Sequence, residues 1–279
     1  AFWKTVRAGA NAASTEYNLD LTFEAPLAEE DYAAQNRMIE NVVRDGADAI
    51  VFSAVDFEAN ADAVDEAAAE GVKIVSIDSE VNSSAVECYI GTDNYEAGCL
   101  AGEAVLDCQD PVLNIGIVNY DKNSENGQTR EAGFRDTVAK DSRAVIVDAI
   151  NVNSTTEEAK EGTLAMLERN PQINVIATFN EWTSLGVGYA IQEQNLGDRT
   201  RVVAFDCNVV SVGMLETGEV DALIVQNPYA MGYLGVEKAY NLLNGQSIEE
   251  KEIGTSLMIV TKENMYDDES QRLLFSFDK

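Results

Sequence analysis

Short apolar runs alternate with stretches of helical periodicity along almost the whole chain, and this alternation constrains the fold most. From Phe2 onward apolar residues recur every three to four positions, which predicts an amphipathic helix, whereas residues 19–23 have apolar side chains at every second position and predict a strand. The unit recurs at Ala49, where AIVFSA predicts a strand, and again where VKIVSID ends at Asp78. Strands that alternate with helices predict an α/β fold with parallel sheets covered by helices on both faces.

The same pattern continues to the end of the chain. About nine strands are predicted in all, which is too many for one small wound sheet, so two sheets are expected. The least regular stretch, the acidic residues 266–270, is expected to be a solvated segment. The remaining predicted strands lie at 113–118, 144–149, 175–179, 202–205, 222–225 and 257–260, with helices near 95–106, 128–139, 157–168, 184–194, 209–215 and 231–243.

Composition excludes several classes of function. The chain has no His, which removes the commonest general base, the Ser-His and Cys-His nucleophile pairs and the usual catalytic zinc sites. Its formal net charge of -30 would repel nucleic-acid phosphates and anionic lipids. We therefore expect no enzyme and no nucleic-acid partner.

The cysteines, the glycine motifs and the paired carboxylates give little information about function. The four cysteines show no C-x-x-C spacing and are expected to be mostly buried thiols, with a disulfide between Cys99 and Cys108 as a minor alternative. GxGxxG and Walker-type loops are absent, so phosphate-cradling loops are not supported. A glycosidase pair of carboxylates stays open as a minor alternative, because sequence cannot set their separation. No cofactor and no metal site are expected.

Polar residues stand at the carboxyl ends of six predicted strands. In open α/β sheets ligands bind beyond those ends, and Asp, Asn and Gln can each engage two neighbouring sugar hydroxyls. The alternative is that such residues make turns and cap the next helix, as Asp206 could for the helix near Val209. The strand-end residues are Ser53, Asp78, Asn119, Asn180, Asp206 and Gln226.

Three aromatic residues could stack on a sugar ring. Phe2 and Trp3 stand side by side at the start of the first helix, and Trp182 follows Asn180 by two positions. Burial in the core is the alternative for each of them. Together with the strand-end residues they indicate a binding site for a small polar ligand.

A series of motifs now points to a family. In order, the chain contains FWKTVRAGANAAS, IVFSAVD, VKIVSID, YIGTDN, NGQTREAGFRD, VIATFNE, VVAFDCN and LIVQNPYAMG. This series resembles the type I periplasmic binding proteins, specifically the ribose-binding-like proteins of ABC sugar importers, over nearly the whole chain. The resemblance implies two Rossmann-like lobes with parallel sheets, a three-segment hinge and a ligand in the cleft between the lobes.

The resemblance also implies lobe boundaries and contact residues. Residues 1–92 with 227–255 would form the N-terminal lobe, and residues 93–226 with 256–279 the C-terminal lobe. Asp78 and Asp206 are expected to face each other across the cleft. The full set of expected ligand contacts is Phe2, Trp3, Ser53, Asp78, Thr92, Gln128, Asn180, Trp182, Phe205, Asp206 and Gln226.

The chain departs from the ribose-binding pattern at three places. Ser79 and Gln128 stand where ribose binders carry Arg, so no cationic group is expected among the ligand contacts, and the middle aromatic aligns near Asn153 or Ser154. Another pentose, a hexose or a polyol is therefore as good a candidate as ribose. The family also begins with a strand ahead of the aromatic pair, and we expect that strand to lie upstream of Ala1.

The resemblance implies an extracytoplasmic protein, in a periplasm or as a cell-surface lipoprotein. It would act as a monomer that captures a monosaccharide or polyol and delivers it to the membrane permease of an ABC importer. The alternative is the sensing ectodomain of a membrane signalling receptor with the same fold. The core of a sugar-responsive repressor is a further alternative. It is a minor one, because such a core would rarely carry this much negative charge.

Overall fold

A computed structural model describes residues 1–275 of the chain, which contain ten helices and ten strands. The helices are α1 (Phe2–Glu16), α2 (Tyr32–Arg44), α3 (Ala61–Ala69), α4 (Asn94–Leu106), α5 (Glu125–Val138), α6 (Thr156–Arg169), α7 (Glu181–Gln194), α8 (Val209–Thr217), α9 (Pro228–Leu243) and α10 (Asp268–Leu274). The strands are β1 (Ala49–Phe52), β2 (Lys73–Ile77), β3 (Val86–Gly91), β4 (Leu113–Asn119), β5 (Ala144–Asn151), β6 (Val175–Thr178), β7 (Arg201–Phe205), β8 (Ala222–Val225), β9 (Glu252–Gly254) and β10 (Met258–Thr261).

The first sheet is parallel throughout, in the order β1-β2-β3-β9. Helices α1 and α9 cover one face, where Val6 and Met231 pack against Val75. Helices α2 and α3 cover the other face, around Ile39 and Val64. We call this sheet and its four helices the first lobe.

The second sheet has the order β10-β8-β7-β6-β4-β5, and only β10 runs antiparallel among the described strands. Helices α4 and α5 cover one face, around Phe134 and Ala97. Helices α6, α7 and α8 cover the other, around Met166 and Val187. This sheet and its helices form the second lobe, and the prediction of an α/β fold with two parallel sheets is confirmed.

The chain passes between the two sheets three times, after β3, after β8 and after β9. Two of these connections are short, since only Thr92 and Asp93 separate β3 from α4, and Gln226 and Asn227 separate β8 from α9. The lobe boundaries given above stay a prediction, and residues 276–279 lie outside the described part.

Three local expectations are wrong. Residues 19–23 form no strand, and the edge of β1 that faces away from β2 pairs with no strand in residues 1–275. The strand expected upstream of Ala1 would lie along that edge and stays a prediction. Residues 266–270 are not wholly solvated, since α10 begins at Asp268 and Ser270 is buried. Short strands β3 and β9 were not predicted.

The cysteines also differ from expectation. All four are free thiols, so Cys99 and Cys108 form no disulfide. Only Cys88 is buried, whereas the other three are half-buried. The expectation of mostly buried thiols is therefore wrong.

Candidate functional site

A cavity of about 1200 Å³ lies between the two lobes. Its polar part sits beyond the carboxyl ends of strands from both sheets, and its apolar part extends beside β1 beneath residues 19–23. The polar part is where the strand-end argument places a ligand. Its lining includes Phe2, Trp3, Glu29, Ser53, Asp78, Asn126, Arg130, Asn180, Glu181, Trp182, Asp206 and Gln226.

Asp78 and Asp206 occupy equivalent places in the two lobes. Each directly follows its strand and has a positive φ, 61° and 64° respectively. Each still donates its backbone N–H to the neighbouring strand, Asp78 to Ile90 and Asp206 to Ile224. A left-handed backbone is uncommon outside glycine and costs on the order of 1 kcal/mol or more, and such residues cluster at binding sites. The same unusual turn thus presents one carboxyl group from each lobe to the cavity.

A buried arginine ties the hinge to the second lobe. Arg130 on α5 donates through Nε to Asn94 Oδ1 at 2.9 Å, through Nη1 to the Phe179 carbonyl at 2.8 Å and through Nη2 to Gln226 Oε1 at 2.8 Å. Its guanidinium also lies 4.9 Å from the centre of the Phe205 ring. Such a planar fork can satisfy three separate acceptors at once. Three of its five N–H donors are therefore used inside the protein.

Close helix packing fixes where Arg130 stands. Helix α5 lies against α4 so tightly that a Cβ on Gly98 would come within 1.9 Å of the Arg130 carbonyl, and one on Gly133 within 2.1 Å of the Tyr95 carbonyl. A side chain at either glycine would push the helices apart. The two glycines therefore set the depth to which the guanidinium reaches.

The hydrogen bonds of Gln226 and Asn126 extend this network to both acids. Gln226 accepts from Thr92 Oγ1 at 2.7 Å and donates through Nε2 to Asp206 Oδ1 at 2.7 Å. Asn126 donates to Asp78 Oδ2 at 3.4 Å, across the cleft. Ser53 donates to the same Asp78 oxygen at 3.1 Å. Among the described residues, Oδ1 of Asp78 and Oδ2 of Asp206 accept no side-chain hydrogen bond, which leaves each able to accept from ligand hydroxyls.

Burial changes the charge state of these acids. Loss of hydration raises the pKa of Asp78 to about 7 and that of Asp206 to about 6, although the charge of Arg130 opposes both shifts. The negative charge of Asp206 adds to the rise at Asp78. One arginine therefore compensates two acids only in part.

Aromatic side chains and a third carboxylate form the mouth of the cavity. Phe2 and Trp3 meet edge to face with ring centres 5.2 Å apart, and Trp182 is more than one-third exposed. Glu29 Oε1 accepts from both indoles, from Trp3 Nε1 at 3.1 Å and from Trp182 Nε1 at 3.4 Å. Burial raises the pKa of Glu29 despite these bonds. The two lobes thus meet around this carboxylate.

The structure brings eight of the eleven predicted contacts to the cavity and leaves three away from it. Thr92 is buried behind Gln226, and Phe205 lies beneath the guanidinium of Arg130. Gln128 does not line the cavity, because it stands two positions from both Asn126 and Arg130 and so points to another side of α5. Whether the eight touch ligand stays a prediction. They are Phe2, Trp3, Ser53, Asp78, Asn180, Trp182, Asp206 and Gln226.

Neither Arg130 nor Glu29 was predicted from the sequence. The expectation of no cationic group among the ligand contacts stays a prediction, although Arg130 lies in the lining of the cavity. Its signal was its place on the face of α5 formed by small and apolar buried residues, with Gly127, Gly133 and Phe134. Glu29 lies in an irregular segment, where periodicity gives no signal. Asn119, also a strand-end residue, bonds inward to Gly127 and Glu131 instead.

Residues 1–247 match a family model that is described as periplasmic binding protein domain. The chain is similar to a D-ribose/D-allose-binding protein of Pseudomonas aeruginosa, with 27% identity over 91% of this chain and 82% of that protein. It is also similar to a ribose import binding protein of Bacillus subtilis, with 24% identity over 84% of this chain and 75% of that protein.

Solved structures agree in fold. A carbohydrate transporter solute-binding protein of Agrobacterium radiobacter in complex with D-arabinose matches with a TM-score of 0.94 and 29% identity, over 98% of this chain and 94% of that one. An ABC transporter solute-binding protein of Agrobacterium vitis with bound D-fucose gives a TM-score of 0.94 and 30% identity, over 98% and 96%. Both neighbours hold a sugar.

Proposed function

Because the chain belongs to the family of periplasmic binding protein domains, we propose that it captures a neutral monosaccharide or polyol and delivers it to an ABC importer. The observation that carries the proposal is the arrangement of polar side chains beyond the strand ends of two sheets, with Asp78 and Asp206 presented by the same turn. Planar carboxylate and amide groups suit the vicinal hydroxyls of a sugar. The aromatic residues at the mouth suit its C–H faces.

The ligand class is supported by the relatives, and the individual sugar is left to experiment. The similar proteins are named for ribose and allose or hold D-arabinose and D-fucose, sugars that differ in the number of carbons and in hydroxyl orientation. This chain has Ser79 and Gln128 where ribose binders carry Arg. Arg130 is bonded mainly to the protein, since three of its five N–H donors go to Asn94, Phe179 and Gln226.

The protein would bind its ligand without changing it. The chain contains no His, and the relatives are named as binding proteins. Among residues 1–275 no group of three or more His, Cys, Asp or Glu residues is placed to hold a metal ion. The site therefore supports recognition by hydrogen bonds and stacking.

We propose that the protein acts outside the cytoplasm, in a periplasm or at a cell surface, as a monomer that meets the permease of its importer. Within the described residues no helix is both long and apolar enough to span a membrane. The sensing-ectodomain alternative is not favoured, because the similar proteins are importer components. Size-exclusion chromatography with light scattering tests the monomer, and reconstituted uptake with the permease tests the partner.

Thermal-shift measurements followed by calorimetry test the ligand. We expect at least one of D-ribose, D-allose, D-arabinose, D-fucose and the corresponding polyols to raise the melting temperature, since a ligand that binds only the folded state stabilises it. Asp206→Asn is the matched variant for both measurements, because it keeps the shape of the side chain and removes the charge of one acceptor. A panel in which no sugar or polyol binds the wild type would overturn the proposal.

A further inference from the structure

Residues 24–31, here called the strap, cross from the first lobe to the second at the mouth of the cavity. The strap joins the extended residues 19–23 to α2 and contains Pro26, and its tip Leu27 is fully exposed. Two of its side chains, Glu29 and Glu30, reach partners on the second lobe. The strap is therefore in contact with both lobes at once.

The Glu29 carboxylate accepts from three donors on three separate elements. Trp3 on α1 belongs to the first lobe, whereas Trp182 on α7 and the Ser154 hydroxyl ahead of α6 belong to the second. Indole N–H groups can only donate, so the arrangement needs an acceptor between them. Opening the lobes would separate Glu29 from two of its three donors.

Ser154 continues this connection into the ligand site. Its backbone N–H donates to Glu30, and its hydroxyl accepts from Asn180 Nδ2 at 2.7 Å. Among the ion pairs of residues 1–275 neither Glu29 nor Glu30 has a Lys or Arg partner. These two carboxylates are therefore held by neutral donors, and most of these donors come from the opposite lobe.

We propose that Glu29 is the positioning residue that holds the lobes closed over the ligand, by joining Trp3 to Trp182 and Ser154. An ordinary loop glutamate would be solvated in every state, whereas burying a carboxylate is costly unless donors compensate it. Here two of the three compensating donors, Trp182 and Ser154, are present only when the lobes meet. The strap thereby makes closure favourable and slows release of the ligand, which is a role that rests on the proposed function.

A disulfide reporter measures closure without any ligand. The backbone N–H of Phe57 lies 3.2 Å from the Asn123 carbonyl, at a different place on the cleft rim. In a Phe57→Cys/Asn123→Cys protein, the rate of disulfide formation reports how often the lobes close. Adding Glu29→Ala should slow that rate about tenfold, which corresponds to about 1.4 kcal/mol. Phe57→Cys alone controls for the native thiols.

Glu24→Ala is the matched control, because Glu24 is an exposed glutamate of the same strap. It should leave the cross-linking rate within twofold of the parent. Glu29→Gln keeps one oxygen for the indoles but loses the charge, and should fall between the parent and Glu29→Ala. Equal cross-linking rates in Glu29→Ala and Glu24→Ala would overturn the proposal.

Release kinetics give the second readout. Trp3 and Trp182 are the only two tryptophans of the chain, so indole fluorescence reports directly on the surroundings of Glu29. In stopped-flow measurements with a sugar that binds, Glu29→Ala should release it about tenfold faster, with the association rate changed less than twofold and the ligand-free melting temperature unchanged. A lowered melting temperature with an unchanged release rate would assign Glu29 a purely structural role. Absence of sugar binding by the wild type would count against the proposed function alone, and the cross-linking rates would still decide the role of Glu29.

Discussion

Arg130 and Gln226 are both buried, and Nη2 of the arginine lies 2.8 Å from Oε1 of the glutamine. The bond fixes the orientation of the Gln226 amide, because the oxygen that accepts from Arg130 leaves Nε2 to face Asp206. A side chain from α5 thus decides which group the hinge presents to a strand-end acid. The guanidinium also supplies the positive charge nearest to Asp78 and Asp206.

Arg130→Met should therefore destabilise the protein strongly. It removes three hydrogen bonds donated by a buried charged group, together with the positive charge that opposes the raised pKa values of Asp78 and Asp206. Hydrogen bonds to a charged group contribute about 1.5–3 kcal/mol each, so the loss should be about 3 kcal/mol or more. Urea unfolding at pH 7.5 measures the loss. Arg135→Met is the control, since Arg135 pairs with Glu131 near the surface and should cost less than about 1 kcal/mol. Similar losses for the two variants would contradict the role given to Arg130.

The strand-end acids could be predicted from sequence, and Arg130 could not be predicted by the same reasoning. Asp78 and Asp206 each follow an apolar run, and the end of a parallel strand is a fixed place in the fold. Arg130 lies inside a helix, where its direction depends on how closely α4 and α5 approach. That approach depends on packing between distant glycines rather than on local periodicity.

The strands, like the site residues, could be predicted from the sequence only in part. Eight of the ten described strands were predicted from their apolar runs, whereas residues 19–23 have the alternation of a strand and no partner for it within residues 1–275. Alternation with a period of two shows which face of a segment is apolar. A strand forms only when that segment can also hydrogen-bond to the edge of another strand. Glu29 illustrates the same limit for the site, since its donors come from three elements far apart in sequence.

Stability of the ligand-free protein should rise as the pH falls from 8 to 5. Burial raises the pKa of Asp78 to about 7 and that of Asp206 to about 6, from ordinary values near 3.8. A group with a raised pKa in the folded state contributes stability that is present below its unfolded pKa and is lost as the pH rises through its folded pKa. The free energy of unfolding, measured by urea titration at each pH, should therefore decline across pH 5 to 8.

Asp78→Asn isolates this effect from the general repulsion of a chain with charge -30. It should flatten the decline by about 1 kcal/mol or more over that range, since one pKa unit corresponds to about 1.4 kcal/mol. Glu103→Gln removes an exposed charge from α4 and should leave the decline unchanged. Equal slopes for wild type and Asp78→Asn would show that Asp78 titrates normally.

Anionic sugars should bind more weakly than neutral ones. Within residues 1–275 ten acidic residues line the cavity, among them Asp78 and Asp206, against one cation, Arg130, which gives three of its five N–H donors to protein acceptors. For a matched pair, such as a sugar and its phosphate or acid, calorimetry should show at least about a tenfold preference for the neutral form, equivalent to about 1.4 kcal/mol. Screening makes the preference shrink as salt is added if part of it comes from distant charges. Tighter binding of the anionic partner would contradict this charge assignment.

Substitutions at Asp206 and Asn208 should distinguish a role in ligand binding from a role in helix capping, although the two residues stand only two positions apart. Asn208, and not Asp206, caps α8, since its Oδ1 accepts from the backbone N–H groups of Val210 and Ser211 at 2.9 Å each. Asn208→Ala should therefore lower the free energy of unfolding by about 1 kcal/mol. It also removes the bond from Nδ2 to Glu181 Oε1 at 2.9 Å in the cavity lining, but sugar affinity should change far less than in Asp206→Ala. The suggestion that Asp206 is merely a cap is not supported by these contacts.

Asp206→Asn should do the reverse. Asparagine tolerates the left-handed backbone at φ 64° and keeps an oxygen for Gln226, so the fold should survive. It loses the charge that strengthens bonds from ligand hydroxyls, and bonds to a charged group contribute about 1.5–3 kcal/mol each. Affinity should fall by about tenfold or more, and by about a hundredfold in Asp206→Ala. Measuring unfolding and sugar affinity of both variants beside Asn208→Ala decides the matter: unchanged affinity in Asp206→Asn would mean that this acid shapes the hinge and does not touch the ligand.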